Sequence, residues 1–173
     1  MMLLYLVQHA EAKKEEEDPL RPLSEKGLQD IKKVAVHLAR MNFEVARIFH
    51  SNKLRARQTA ELLSENLKPY KGVSETDGIT PLDDPHIWGN RLKEINDNIM
   101  LVGHLPHLGK LASLLLCGDA GKNIVLFKMA GVVCIERDEN GNWSLKWMLI
   151  PEVLPLPCET AEGSPVYEGD SWL

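Results

Sequence analysis

Two histidines follow apolar runs that lie far apart in the sequence. His9 closes the run of residues 4–8, and His104 closes the run of residues 99–103. Between them, Arg55 begins a segment with helical spacing after a third short apolar stretch. A phosphoryl-transfer site needs a nucleophile for phosphorus, a partner for the transferred group and a cation for its oxygens. Two imidazoles and a guanidinium supply these groups, so the pattern indicates a phosphoryl site.

Buried strands are expected to position these side chains. Apolar runs without alternation predict strands buried on both faces over residues 2–8 and 99–103. A shorter strand is predicted over residues 46–50, followed by a helix from an N-cap at Ser51 to Leu67. In open α/β sheets, ligands bind at the carboxyl ends of the strands. We therefore expect the two imidazoles and the guanidinium to meet at one edge of a sheet.

The remaining pattern predicts an α/β fold: a three-layer α/β/α sandwich with a mixed, mainly parallel central sheet. Strand–helix alternation is followed by terminal antiparallel strands, as such a sheet requires. Further helices are predicted over residues 24–40 with Ser24 as N-cap, from an N-cap at Asp84 to about Asn96, and after Pro106. Further strands are predicted near Val73 and over residues 124–128, 132–137 and 143–150. Residues 1–150 are expected to form one domain, and residues 151–173 an acidic, proline-containing tail.

Composition narrows the classes of function. The formal charge of −5 lies in residues 151–173, which contain five acidic and no basic residues. The remaining body is neutral and offers no basic face for nucleic acid. No apolar run approaches the roughly 18 residues that span a bilayer, and the first residues are typical of a strand rather than a signal peptide. Three unpaired cysteines favour reduced thiols and a cytoplasmic setting; Cys117 and Cys134 are expected in the core.

Several short motifs give the chain a specific resemblance. Ala10-Glu11-Ala12 follows His9, and further along come Arg21-Pro22-Leu23-Ser24-Glu25-Lys26-Gly27, Ser51-x-x-x-Arg55-Ala56-x-Gln58-Thr59-Ala60 and Val102-Gly103-His104-x-Pro106. From Leu4 to about Pro151, the sequence resembles the histidine phosphatase superfamily, and within it the small SixA-like phosphohistidine phosphatases. The resemblance implies a phosphoglycerate mutase-like fold.

The resemblance also implies roles for individual residues. His9 would attack phosphorus and form a covalent phosphohistidine intermediate, which water then hydrolyses. His104 and Arg55 would bind and stabilise the phosphoryl group, and Arg21 would supply a further basic contact. No metal and no other cofactor is implied. The substrate would be a phosphohistidine side chain on another protein or, alternatively, a small phosphate ester.

Gln8 departs from the family pattern, in which the residue before the nucleophile is normally arginine. Its amide can still donate hydrogen bonds to phosphate, so we retain it as a candidate phosphate-binding residue, but it brings no charge. Loss of one charge-assisted donor costs roughly 2–4 kcal/mol, or about 10²–10³ in rate. Three interpretations stay open at this point: reduced activity, altered substrate preference, and a phosphate- or phosphoprotein-binding module without catalysis.

A general acid is poorly marked in the sequence. Asp83 and Asp84 lie where many relatives carry one, but Asp84 also suits a capping role before Pro85. The imidazole of a protonated phosphohistidine leaves phosphorus readily without a general acid. This favours phosphohistidine over an alkyl phosphate as the substrate. Among the other polar residues, Arg57 is expected in solvent and His50 in a packing role. His37, His86 and His107 are expected on the surface or in local hydrogen bonds.

Overall fold

A computed structural model describes residues 1–41 and 44–155. Cys158 and most of the predicted tail therefore lie outside the described residues. Four helices are present in this part of the chain: α1 (Glu25–Arg40), α2 (Leu54–Leu67), α3 (Pro85–Glu94) and α4 (His107–Cys117). A short 3₁₀ helix follows at Pro151–Val153. None of the described helices has the length and apolar character needed to cross a bilayer.

Six strands form one mixed sheet. They are β1 (Met2–Gln8), β2 (Arg47–His50), β3 (Val73–Glu75), β4 (Ile99–Gly103), β5 (Val132–Arg137) and β6 (Trp143–Leu149). Their order is β3-β2-β4-β1-β5-β6, with the first four parallel and the last two antiparallel to their neighbours. The predicted mixed, mainly parallel sheet is confirmed.

Two apolar cores cover the two faces of the sheet. Tyr5 and Val7 of β1 pack with buried residues of α1 and α2, whereas Leu4 and Leu6 pack with those of α3 and α4. Because successive side chains of a strand point to opposite faces, this division places one helical layer on each side. The three-layer sandwich predicted from the sequence is therefore confirmed.

The strand predicted over residues 124–128 is wrong. Burial does alternate here, with Val125 and Phe127 buried in the core on the α4 side and Ile124 and Leu126 exposed. However, these residues pair with no strand of the sheet, and both edges of β1 are already bonded, by β4 and β5. Cys117 is another correction: it is exposed at the last turn of α4, where its Sγ donates to the Ser113 carbonyl.

The start of α2 also differs from the prediction. Lys53, and not Ser51, is the residue that precedes its first turn, and Lys53 makes no side-chain capping bond. The Ser51 Oγ accepts from the Lys53 amide at 3.3 Å, before the first turn of the helix, and shares a 2.6 Å hydrogen bond with His104 Nε2. By contrast, the predicted caps Ser24 of α1 and Asp84 of α3 are confirmed, since each accepts a hydrogen bond from a backbone N–H in its helix.

The ends of the three central strands are level with one another. Gln8 of β1 is paired with Gly103 of β4, and the His9 amide donates to the Gly103 carbonyl at 3.1 Å. On the other side of β4, the Ser51 amide donates to the Val102 carbonyl at 3.3 Å. This register brings the residues that follow β1, β2 and β4 to one edge.

Candidate active site

His9 is held in one orientation and one tautomer. Its Nδ1 lies 2.7 Å from the Ala10 carbonyl oxygen, which can only accept, so Nδ1 carries the ring proton. The lone pair of the neutral ring is therefore on Nε2. The Nε–H of Arg55 donates to this atom at 3.2 Å. The nitrogen predicted to attack phosphorus and the guanidinium predicted to bind phosphate are thus in direct contact.

Thr59 supports this arrangement from the second turn of α2. Its hydroxyl accepts from the Ala10 amide at 3.0 Å and donates to the Arg55 carbonyl at 2.7 Å. The side chain of the preceding residue, Gln58, accepts from the Leu23 amide at 2.8 Å. Sequence reasoning quoted both residues but gave neither a role. Their hydrogen bonds hold the loop after β1 against α2. They thereby fix the position of the Ala10 carbonyl, which orients His9.

His104 lies across from His9, with 4.9 Å between the ring centroids. Its Nε2 shares a 2.6 Å hydrogen bond with the Ser51 hydroxyl. Its Nδ1 is buried and has no hydrogen-bond partner among the described residues. If the hydroxyl donates to Nε2, the neutral ring carries its proton on Nδ1 and can donate that proton to a phosphate oxygen. Ser51 was placed near this edge by sequence, but its bond to His104 was missed.

Arg21 and Gln8 complete the set of predicted residues. Arg21 has a left-handed backbone with φ of 50°, which costs an L-residue roughly 1–2 kcal/mol. Its Nε donates to the Lys13 carbonyl at 3.2 Å, and its charge acts on both His9 and Arg55. Gln8 is 8% exposed, and its Oε1 is buried without a hydrogen-bond partner in the described part of the chain.

Burial keeps both histidines neutral. It lowers the pKa of His9 from 6.5 to about 4, with the Arg55 and Arg21 charges adding to the effect and the Ala10 hydrogen bond opposing it. Burial likewise lowers the pKa of His104 to about 3, helped by His9 and Arg55. At neutral pH the His9 ring therefore has a free lone pair on Nε2 without the help of a base.

We expect His9 to stay neutral and protonated on Nδ1 down to about pH 5, whereas a histidine in a peptide titrates near 6.5. The measurement is the ¹⁵N chemical shifts of its ring between pH 8 and pH 4. The pKa of His9 is lower in the folded than in the unfolded protein. Its contribution to the free energy of unfolding is therefore complete above about pH 6.5 and decreases as the pH falls towards 4. A midpoint near 6.5 for the folded protein would contradict this.

The two carboxylates considered as general acids are already engaged. Asp83 Oδ2 accepts from the Thr80 amide at 2.7 Å, and Asp84 Oδ1 accepts from the His86 amide at 3.0 Å. These hydrogen bonds lower the pKa of both carboxyl groups. Each is therefore ionised near neutral pH, which disfavours it as a proton donor.

Three other polar residues can now be placed. Arg57 is exposed and lies 3.6 Å from Glu61, as expected for a solvated side chain. His50 is buried, and its Nδ1 bonds the Ser51 carbonyl, which confirms a packing role. The prediction for His107 is wrong: it is fully buried in the first turn of α4, and neither ring nitrogen has a well-formed hydrogen bond in the described residues.

A cavity of about 860 Å³ lies apart from this site. Met2 at the start of β1 and Arg137 and Trp143, where β5 ends and β6 begins, line it. These residues are at the opposite end of the strands from His9.

Among the described residues, no three histidine, cysteine or acidic side chains are grouped so that they could hold a metal ion.

Comparison with known proteins agrees with this geometry. Residues 4–83 match the family model of the histidine phosphatase superfamily, branch 1. An uncharacterized protein of Picosynechococcus sp. is 36% identical over 140 residues, which cover 76% of this chain and 83% of that protein. The phosphohistidine phosphatase SixA of Escherichia coli is 24% identical over 155 residues, covering 87% of this chain and 94% of the relative. The chain belongs to the histidine phosphatase superfamily.

Solved structures show the same fold. A protein histidine phosphatase SixA complexed with tungstate has a TM-score of 0.76 at 24% identity, over 87% of this chain and 97% of that one. A putative alpha-ribazole-5'-P phosphatase from Escherichia coli has a TM-score of 0.69 at 16% identity, over 87% and 98%. The six-stranded mixed sheet with four helices is therefore the histidine phosphatase fold.

Proposed function

We propose that this chain is a phosphohistidine phosphatase that acts on a phosphorylated protein through a covalent intermediate on His9. The observation that carries the proposal is the contact among three side chains: His9 Nε2 accepts from Arg55 at 3.2 Å, and the His104 ring lies 4.9 Å from the His9 ring. A phosphoryl group entering between them would meet one lone pair and donors from two sides. Tungstate, an oxyanion, is bound in the related SixA structure.

The reaction proceeds in two displacements. His9 Nε2 forms a bond to phosphorus while the phosphorus–nitrogen bond to the substrate imidazole breaks, and that imidazole leaves with the proton it already carries. Arg55 turns from the His9 lone pair to two phosphoryl oxygens, where its planar fork fits best. Water then attacks phosphorus while the bond from phosphorus to His9 Nε2 breaks. The proton lost by the water stays on the phosphate, which departs, and the neutral His9 ring accepts again from Arg55.

The ionised state of the two candidate acids supports an imidazole leaving group. An alkoxide needs a proton as it departs, and the Asp83 and Asp84 carboxyls are ionised near neutral pH. A protonated phosphohistidine needs no such help. This difference favours phosphohistidine over a phosphate monoester as the substrate.

A second candidate is a module that binds phosphate or phosphoprotein without catalysis. The observation that favours it is Gln8, which presents a neutral amide next to the nucleophile and leaves its own Oε1 buried and unpaired. A neutral amide gives phosphate less charge-assisted binding than a guanidinium. The site between His9 and His104 would then bind the phosphoryl anion but stabilise the transition state of its transfer poorly.

The test compares two phosphorylated proteins, one carrying phosphohistidine and one carrying phosphoserine, with phosphate release as the measurement. We expect kcat/KM to be at least ~100-fold higher for phosphohistidine, because only that leaving group departs without an acid. A reaction without enzyme corrects for spontaneous hydrolysis. Faster release from phosphoserine would identify a phosphomonoesterase, and saturable phosphate binding without any turnover would identify the binding module.

A further inference from the structure

The segment of residues 123–129 lies at the edge of the candidate site; we call it the rim segment. It begins where Asn123 Oδ1 lies beside Gly109 in the first turn of α4. It ends just before Ala130, whose amide donates to the Gln8 carbonyl at 3.0 Å. The rim segment therefore passes from the helix that follows His104 to the strand that carries His9.

Burial alternates along the rim segment as it does along a strand. Val125 and Phe127 are buried in the core, while Ile124 is 48% exposed and Leu126 is 74% exposed. This is a period of two with apolar residues on both faces. A strand with apolar residues on its outer face is typical of one that is covered.

The backbone of the rim segment is unpaired. Within the described residues, the only hydrogen bond of the segment is that of the Lys128 carbonyl with the Gly131 amide. Unpaired N–H and C=O groups along an extended segment form a template for another strand. The strand predicted over residues 124–128 is not formed, and within residues 1–41 and 44–155 no strand pairs with the segment.

We propose that the rim segment binds an extended stretch of the phosphorylated protein, which pairs with it as an added strand and so delivers the phosphohistidine to His9. The inference rests on the proposed function. Main-chain hydrogen bonds would supply affinity, and apolar side chains of the partner would cover Ile124 and Leu126. Lys122 and Lys128 are exposed at the two ends, so the bound stretch carries acidic residues among its apolar ones.

Continuity with the site supports this occupant over others. Ala130 follows the rim segment directly, and its amide reaches the carbonyls of both Gln8 and His9. A strand added along the segment would therefore run towards the nucleophile. The phosphorylated side chain is then expected close in sequence to the paired stretch.

The first test compares Leu126→Asp and Leu126→Asn with the unmodified protein on two substrates, a phosphohistidine protein and phosphoimidazole. We expect KM for the protein substrate to rise about tenfold for Leu126→Asp and less for Leu126→Asn, with kcat/KM for phosphoimidazole unchanged. Tyr70→Asp is the matched control, because Tyr70 is 67% exposed in the loop before β3, at the opposite end of the strands. It should change neither value.

Two kinetic outcomes would overturn the inference: no change on the protein substrate, or an equal loss on both substrates. Neither coincides with failure of the proposed function, which would show as an unmodified protein that does not hydrolyse phosphohistidine at all. The kinetic comparison thus separates the docking surface from the chemistry.

The second test measures hydrogen exchange of backbone amides in the complex of the His9→Ala protein with the same phosphohistidine protein. We expect the amides of residues 123–129 to become protected on binding, since strand pairing bonds them directly. Unprotected amides in a formed complex would exclude strand pairing. Protection in the free protein would also overturn the inference. Protection that is independent of concentration would mean that residues 156–173 pair with the rim segment. Protection that is lost on dilution would mean that a second copy of the chain pairs with it.

Discussion

Replacing His9 by alanine is expected to lower kcat/KM for a phosphohistidine protein by about 10⁴ or more, because the phosphoryl acceptor is removed. The same change should abolish covalent labelling of the protein by ³²P-phosphohistidine substrate. His9 is held by Ala10 and Arg55 and does not contribute a large apolar surface, so the fold is expected to persist. The measurements are phosphate release, acid-labile radioactivity in a quenched reaction, and thermal unfolding.

His37→Ala is the matched control for this experiment. His37 lies on α1, away from the edge where the three strands end, and its replacement should leave both turnover and labelling intact. Labelling that survives His9→Ala would show that another group accepts the phosphoryl group. Turnover that survives without labelling would show direct attack by water, with His9 only binding the oxyanion.

Gln8→Arg is expected to raise kcat/KM about 10²–10³-fold if the natural residue limits the rate. The change adds a charged donor next to the nucleophile, where developing negative charge on the phosphoryl oxygens is stabilised most. Steady-state kinetics on phosphohistidine protein and on an aryl phosphate ester would measure the gain. Gln8→Met is the control, because it keeps the chain length and removes the amide.

The pattern of the gain distinguishes the meanings of Gln8. An increase on both substrates would identify the natural chain as weakened by the missing charge. An increase on the ester together with a decrease on phosphohistidine would identify Gln8 as a determinant of substrate preference. No increase on either substrate would contradict our view that charge at this position limits the reaction.

Much of the fold followed from local patterns. The continuous apolar runs that became β1 and β4 could be assigned because a strand buried on both faces has no polar positions. Ser24 and Asp84 were recognised as caps because their side chains are short acceptors at the start of a helical pattern. The meeting of His9, Arg55 and His104 at one edge was expected from the general rule that ligands bind at the carboxyl ends of strands in open sheets.

Other features depend on contacts between distant residues, which local patterns do not carry. Serine is a common N-cap residue, yet the Ser51 hydroxyl bonds the imidazole of His104, 53 residues further along the chain. Thr59 looks like an ordinary helix residue, but it holds the amide of Ala10. His107 is buried because it lies in the first turn of α4 beside Leu108 and Leu111, whereas its polar side chain led us to expect it on the surface or in local hydrogen bonds. The substrate, the cytoplasmic setting and the roles of the candidate site residues stay predictions; these residues are His9, Arg55, His104, Gln8 and Arg21.

The order of the strands has a consequence for biosynthesis. β1 lies between β4 and β5, so both of its neighbours are made long after it leaves the ribosome. At ~5–20 residues per second, this apolar strand waits for seconds with both edges open. Transiently exposed apolar surface and open strand edges favour aggregation, so we expect β1 to be the segment that most needs protection during translation. Catalytic competence is then acquired only once the distant partners have been synthesised.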